Sequence, residues 1–338
     1  MLRTSLELDD IKYVAQTIDF NKLKNKTILI SGGTGFIGSF FCDVIRYRNK
    51  NYGDNIKLIS LSRHQYDSDD TVKYLICDIN NKINIEDDID YIIHLASNTH
   101  PKQYAEDPVG TITTNILGCN NLLELGIKKN IKRFLLASSV EIYGQCIDRP
   151  VDELYSGYID CNNARSGYNE AKRLSESLCQ SYKVQYNLDF VTARLSRIIG
   201  PDRKHDTKAI AQFMDKALAK EDIVLKSKGN QLFSYTYVSD AVEALLKILI
   251  DGACGEAYNV AADPTMDTLA DYANYIASFA SKKVIFELEN NDSVSKASYA
   301  LLDTKKLKSI GWKPRYTVRE GLLRTFNIKK AIGSLNSK

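Results

Sequence analysis

The sequence predicts an α/β fold, a doubly wound parallel sheet with a smaller mixed α/β lobe on its C-terminal side. Three observations predict it. Up to about residue 200, short apolar runs alternate with segments of helical periodicity, the pattern of consecutive βαβ units. A glycine-rich turn, GGTGFIG at residues 32–38, joins the first of those runs to the first long helix. After residue 200 the alternation becomes irregular, as expected of a lobe set over the strand ends.

The elements follow in order. A helical N-terminal extension covers residues 1–25, and KTILISGGTGFIGSFFCDVIRYR then reads as buried strand, turn and helix. NIKLISLSR, KYLICDI and IDYIIHLAS are the second, third and fourth strands. DPVGTITTNILGCNNLLELGIKKN has helical periodicity, and IKRFLLASSVEIYG is a strand ending in small and polar residues. After a loop comes the helix SGYNEAKRLSESL, residues 166–178, and then LDFVTARLSRIIG as one further strand. HDTKAIAQFMDKALAK is a helix, DIVLKSKGNQLFSYTYVSDAVEALLKILI holds short strands and a helix, and GEAYNVAA returns to the sheet. TMDTLADYANYIASFA is a helix, KKVIFEL a strand, and DTKKLKSIGWKP a helix closed by Gly311.

Composition narrows the function. An apolar fraction of 44% with 26% charged residues describes a soluble globular protein. Lys+Arg 45 against Asp+Glu 42 leaves a net charge of +3, far from the basic footprint of a nucleic-acid binder. Seven cysteines are scattered, without a C-x-x-C and without histidine partners, so neither a zinc site nor a disulfide framework is implied. The N-terminus lacks a signal-like apolar core, and no run approaches the ~18 apolar residues of a spanning helix. A cytoplasmic protein with reduced thiols is expected, with no membrane, nucleic acid or metal as partner.

The glycine turn carries chemistry. Gly32, Gly35 and Gly38 sit between strand and helix, where a tight turn lets backbone amides at a helix N-terminus approach a pyrophosphate. In this context the motif indicates a Rossmann-type dinucleotide site. Residues 26–200, rejoined by about 235–262, are then the dinucleotide-binding domain, and 201–234 with 263–330 the substrate-binding lobe. An NAD site commonly places an acid at the end of the second strand to hold the ribose 2′-hydroxyl. Here Ser62 and Arg63 stand there instead, which favours NADP over NAD. Asp78 and Ile79, closing the third strand, are expected near the adenine.

Tyr168 and Lys172 lie four residues apart in the helix at 166–178, hence on one face. An ammonium beside a phenol favours the phenolate, and a phenol so poised exchanges a proton with a substrate hydroxyl.

With GGTGFIG, IIHLAS, NILGCNNLLE, LLASSVEIYG, YNEAK, RLSRIIGP, YTYVSDAVEALL, GEAYNV and IGWKP in this order, the chain resembles the extended short-chain dehydrogenase/reductases of the NAD-dependent epimerase/dehydratase family over residues 26–325. That family acts on nucleotide-sugars. The resemblance implies that Ser139 hydrogen-bonds the sugar hydroxyl, that Tyr168 accepts its proton, and that Lys172 depresses the tyrosine and binds the nicotinamide ribose. Hydride would pass between the sugar, most often at C4, and the nicotinamide. Phe36 and Ile37 of the turn, Leu95, Ala96 and Ser97 of IIHLAS, and Asn115 of NILGCNNLLE join the cofactor-binding set. Thr99 and His100 would border the sugar.

Two segments depart from the family pattern. Where 4,6-dehydratases read Thr-Asp-Glu and UDP-glucuronate decarboxylases resemble Thr-Ser-Glu, this chain has Ser139-Val140-Glu141. The glutamate stays and the aspartate is lost, which weakens a standard 4,6-dehydration. Arg197 stands where Asn is usual and Phe233 where Arg is usual; these positions resemble ones that contact the sugar-nucleotide pyrophosphate, so the exchange implies a relocated contact to that diphosphate or else an unusual substrate. The resemblance further implies a homodimer through helices near 101–126 and 166–186. Epimerase-type and decarboxylase-type chemistry stay open. The alternatives are an NADPH-dependent nucleotide 4-keto-sugar reductase and a non-catalytic dinucleotide-binding protein on the same fold.

Overall fold

The computed structural model describes residues 3–97, 106–202, 208–288 and 299–336. Its centre is a seven-stranded parallel sheet of β1 (Thr27–Ser31), β2 (Lys57–Ser62), β3 (Val72–Ile76), β4 (Tyr91–His94), β5 (Arg133–Ser139), β6 (Phe190–Leu195) and β11 (Ala257–Val260). The spatial order is β11-β6-β5-β4-β1-β2-β3. Chain order therefore reverses between β1 and β4, and such a switch point opens a crevice at the carboxyl ends of the strands.

Each face of the sheet has its own apolar core. On one side, Phe41, Val44 and Ile45 of helix Phe36–Tyr52 pack with Val242, Leu245 and Leu249 of helix Val238–Asp251. On the other, Cys119, Leu122 and Leu123 of helix Pro108–Lys129 meet Cys179 and Tyr182 of helix Gly167–Tyr186. The strands other than the edge strand β3 are buried on both faces, so they read as continuous apolar runs rather than alternating ones. Helix Ser5–Thr17 covers the first side, begun by a capping box between Thr4 and Glu7. Its buried Asp10 accepts hydrogen bonds from the Tyr237 hydroxyl at 3.0 Å, the Tyr316 hydroxyl at 2.8 Å and Arg324 at 2.9 Å. The N-terminal helix is thereby tied to helix Val318–Asn336.

The remaining strands form three short parallel pairs: β7 (Arg197–Ile199) with β10 (Tyr235–Tyr237), β8 (Ile223–Leu225) with β12 (Val284–Phe286), and β9 (Leu232–Phe233) with β13 (Tyr299–Ala300). The segment LDFVTARLSRIIG, expected as one strand, divides at Ser196. The Ser196 amide still donates to Val260 of β11 at 3.0 Å, whereas the Arg197 amide donates to Ser234 at 3.3 Å. A buried contact of 2.6 Å between the Ser196 and Thr236 hydroxyls marks the crossover. Changing sheets here carries Arg197 from the main sheet into the second layer. Among the described residues, no helix is long and apolar enough to cross a membrane.

Candidate active site

A cleft of about 1140 Å³ opens over the carboxyl ends of the strands. Its floor begins where β1 ends. Gly32 has φ +79°, and a Cβ there would stand 2.8 Å from the Ala96 amide nitrogen. The Gly35 amide closes the turn on the Gly32 carbonyl at 3.0 Å, and the helix starts at Phe36. A Cβ on Gly38 would overlap the Gly32 carbonyl oxygen and lie 2.7 Å from Gly33 Cα. Gly32, Gly35, Phe36, Ile37 and Gly38 all line the cleft. A backbone cradle that any side chain would fill, at a helix N-terminus, suits a bound pyrophosphate.

The neighbouring strand ends complete that half. Ser62 closes β2, its hydroxyl accepting from the His64 amide at 3.1 Å, and Arg63 is exposed at the rim. No carboxylate pairs with Arg63 among the described residues. Asp78 is exposed and accepts from the Asn80 amide at 3.0 Å, while Ile79 is buried against Gly118. Leu95, Ala96 and Ser97 line the wall past β4. Asn115 does not: fully buried, it stands behind Ser97, accepting from the Ser97 hydroxyl at 2.9 Å and donating to the Thr111 carbonyl at 2.8 Å. Asn115, expected in the cofactor-binding set, is thus placed to hold Ser97 rather than to line the cleft itself. Thr99 and His100 lie outside the described residues.

The other half of the cleft gathers the acid–base residues. Ser139 ends β5 and caps the short turn Val140–Tyr143, its hydroxyl accepting from the Glu141 amide at 3.2 Å. Tyr168 is buried in the first turn of its helix, 6% exposed, and Lys172 one turn later is 3% exposed. The Lys172 ammonium donates to the Ala137 carbonyl at 3.0 Å and lies 5.9 Å from the Tyr168 ring centre. Burial pushes the Lys172 amine down to about 8. His94, closing β4, shares a 2.7 Å hydrogen bond between its Nδ1 and the Ser31 hydroxyl. Burial, and then the charge of Lys172, drive its imidazole down to about 3, so it is neutral at physiological pH. The histidine of IIHLAS was visible as a letter in the motif, but nothing in sequence spacing shows that it faces the lysine.

The depressed Lys172 has a thermodynamic consequence. Its amine titrates at about 8 when folded against 10.5 ordinarily, a burial penalty on the order of 3 kcal/mol. Between those two values the unfolded chain binds more protons, so stability rises with pH there, and below about 8 the full penalty applies. Lys172→Met is expected to raise the melting temperature at pH ~7, with the gain shrinking as pH climbs through that window. Thermal melts of both proteins across pH check this; a gain independent of pH would show that the charge is not what costs stability.

The departures from the family pattern meet each other. The Arg197 guanidinium lies 3.7 Å above the centre of the Phe233 ring, and its Nη2 is 3.3 Å from Glu141 Oε1. Asn169, beside Tyr168, donates to the Glu141 carbonyl at 2.7 Å and to its carboxylate at 3.4 Å. Asn169 was not singled out in the sequence, although it sits inside the YNEAK motif. Arg197 therefore stands between Glu141 and the Phe233 ring, and all three line the cleft wall.

The model of the NAD dependent epimerase/dehydratase family matches residues 28–261. The chain belongs to that family. It is an enzyme of the NAD-dependent epimerase/dehydratase type. Among curated relatives, UDP-glucuronic acid decarboxylase 5 of Arabidopsis thaliana is 31% identical over 309 residues, covering 88% of this chain and 87% of the relative. Two solved structures share the fold. UDP-glucose 4-epimerase of Thermotoga maritima has a TM-score of 0.77 at 22% identity, covering 91% of this chain and 99% of that one. A dTDP-glucose 4,6-dehydratase of Streptomyces venezuelae, solved with NAD, has a TM-score of 0.74 at 21% identity, covering 91% and 98%. The glycine cradle and the wall beyond β4 fit the dinucleotide that the family uses.

Proposed function

We propose that this enzyme modifies a nucleotide-linked sugar by oxidising one of its ring hydroxyls, C4 by resemblance to the family. The observation that carries this is the convergence of Ser139, Tyr168 and Lys172 on the wall of the same cleft whose floor is the glycine cradle. When bound, the nicotinamide supplies the acceptor and donor of hydride. Ser139 orients the hydroxyl by hydrogen bonding, and Tyr168 takes its proton and later returns it. Lys172, held by the Ala137 carbonyl, keeps positive charge against the phenol and favours its ionised form. Glu141 provides a carboxylate next to that centre. Val140, in the place of the dehydratase aspartate, is 4% exposed and carries no proton, so epimerisation or decarboxylation is the better match than 4,6-dehydration.

The test is to incubate the protein with NAD or NADP and a panel of nucleotide-sugars, following reduced nicotinamide and product together. Converted sugar with no net change of cofactor supports the proposal. A dinucleotide that binds but drives no turnover of any sugar would make the protein a binding module.

A second activity, net NADPH-dependent reduction of a 4-keto-sugar, is favoured by one observation: the end of β2 presents an exposed Arg63 and no carboxylate. Losing a charge-assisted contact to the 2′-phosphate, Arg63→Ala should weaken NADP by about tenfold and leave NAD within about twofold. Titrating both cofactors into both proteins checks this, and equal losses would remove the support for NADP. The same resemblance supports a homodimer, and the scattered, unpaired cysteines support a reducing, cytoplasmic setting. Leu117 and Leu174 are exposed, each 47%, on the two helices such a dimer would join. Light scattering of the purified protein and of Leu174→Glu reads that assembly.

A further inference from the structure

The exchange of Arg197 and Phe233 is a built feature. Arg197 is two residues past Leu195, the register partner of Ser139, so its side chain starts at the end of the cleft where the acid–base residues are. The chain's shift from β6 to β7 places it there. Its guanidinium is stacked on Phe233 at 3.7 Å, which fixes the plane without using any of its hydrogen-bond donors. Of those donors, Nη2 makes one long 3.3 Å contact to Glu141, and Nη1 is buried without a partner among the described residues. The ion pair is partly open to the cleft, 26% exposed on the arginine side and 40% on the glutamate side. A single contact of this kind contributes ~0–1 kcal/mol. Glu141 does not depend on it, because Asn169 also holds the glutamate through its carbonyl and its carboxylate.

We infer that Arg197 is a specificity-determining residue that binds an acidic substituent of the sugar, a carboxylate, by exchanging its contact with Glu141 for one with the substrate. This rests on the nucleotide-sugar activity proposed above and names the class of sugar. A diphosphate contact is the expectation from sequence, but the partner that the fold gives Arg197 is Glu141, two residues from Ser139, which puts the cation on the wall that carries the acid–base residues. A planar guanidinium pre-oriented by an aromatic face is matched to a carboxylate, and a neutral hydroxymethyl group at the same place would leave it unsatisfied. Phe233 supports the arginine and touches no reacting atom; it is a positioning residue.

The experiment is calorimetric titration of the NAD-saturated protein with UDP, UDP-glucose and UDP-glucuronate, for the wild type, Arg197→Gln and Phe233→Leu. Wild type is expected to bind UDP-glucuronate about tenfold or more tighter than UDP-glucose. Arg197→Gln should erase that difference and leave UDP within about twofold. Phe233→Leu, which keeps the charge and removes the ring, should reduce the difference in part. Melting curves confirm that each variant is folded. Loss of UDP, UDP-glucose and UDP-glucuronate alike in Arg197→Gln would show that the arginine reads the diphosphate and would overturn the inference. So would a wild type that does not distinguish the two sugars. A wild type that binds none of the three would remove the uridine-nucleotide-sugar activity itself, and the inference with it.

Discussion

Replacing Tyr168 by phenylalanine lowers turnover by about 10²- to 10⁴-fold while the protein still binds its dinucleotide and melts near the wild-type temperature. The substitution removes one oxygen from a ring that stays packed in the same place, 6% exposed in the first turn of its helix. The glycine cradle at the end of β1 is on another strand end and is untouched. Under the proposed function, what is lost is the phenol that exchanges the substrate's proton, on the cleft wall shared with Ser139 and Lys172. Single-turnover assays, with cofactor affinity measured separately, divide the loss between chemistry and binding. Activity within a few-fold of wild type would mean that another group takes the proton, and the glutamate at 141 would be the next candidate.

Gly38→Ala is expected to have the largest effect on cofactor binding. The added methyl would overlap the Gly32 carbonyl oxygen and come within 2.7 Å of Gly33 Cα and 2.9 Å of the Gly32 carbonyl carbon. All three are backbone atoms, so no rotamer change relieves the clash and the turn itself must open. Overpacking of this kind costs about 1–3 kcal/mol, and here the distorted element is the turn that lines the cleft floor. Dinucleotide affinity should fall by about tenfold or more, with a melting temperature lower by several degrees. Gly33→Ala is the contrast: its methyl would meet the Ser60 hydroxyl and lie 3.1 Å from Ser60 Cβ and Ile30 Cγ2, side-chain rather than backbone atoms, so the turn itself is not forced open. If both variants bound cofactor equally, close approach at Gly38 would not be what the glycine is for.

The parallel sheet was legible because its signals are local. Buried strands flanked by helices leave continuous apolar runs, and the strand–turn–helix at GGTGFIG is a contiguous piece of chain. The same holds for Tyr168 and Lys172, whose shared face follows from helix geometry alone. Asn115 shows where motif reasoning falls short. Its motif was recognised, but which atoms its amide meets depends on how helix Pro108–Lys129 lies against the strand end carrying Ser97. The division of LDFVTARLSRIIG is a similar case. An apolar run does not announce that its partner changes from β11 to β10 halfway along.

The α/β class, the glycine turn and the tyrosine–lysine pair are all written locally in the chain, since each is decided by residues close together along it. Tertiary structure alone decided what surrounds them. Arg197 and Glu141 are 56 positions apart, and only the meeting of β5, β7 and β9 puts the guanidinium between a carboxylate and the Phe233 ring. His94 and Ser31 are 63 positions apart, and only the register of β4 on β1 sets them side by side beneath the lysine's field. The displacement of Lys172 to about 8 likewise comes from burial. Burial and charge coupling are properties of packed neighbours, and a linear pattern carries spacing but not distance.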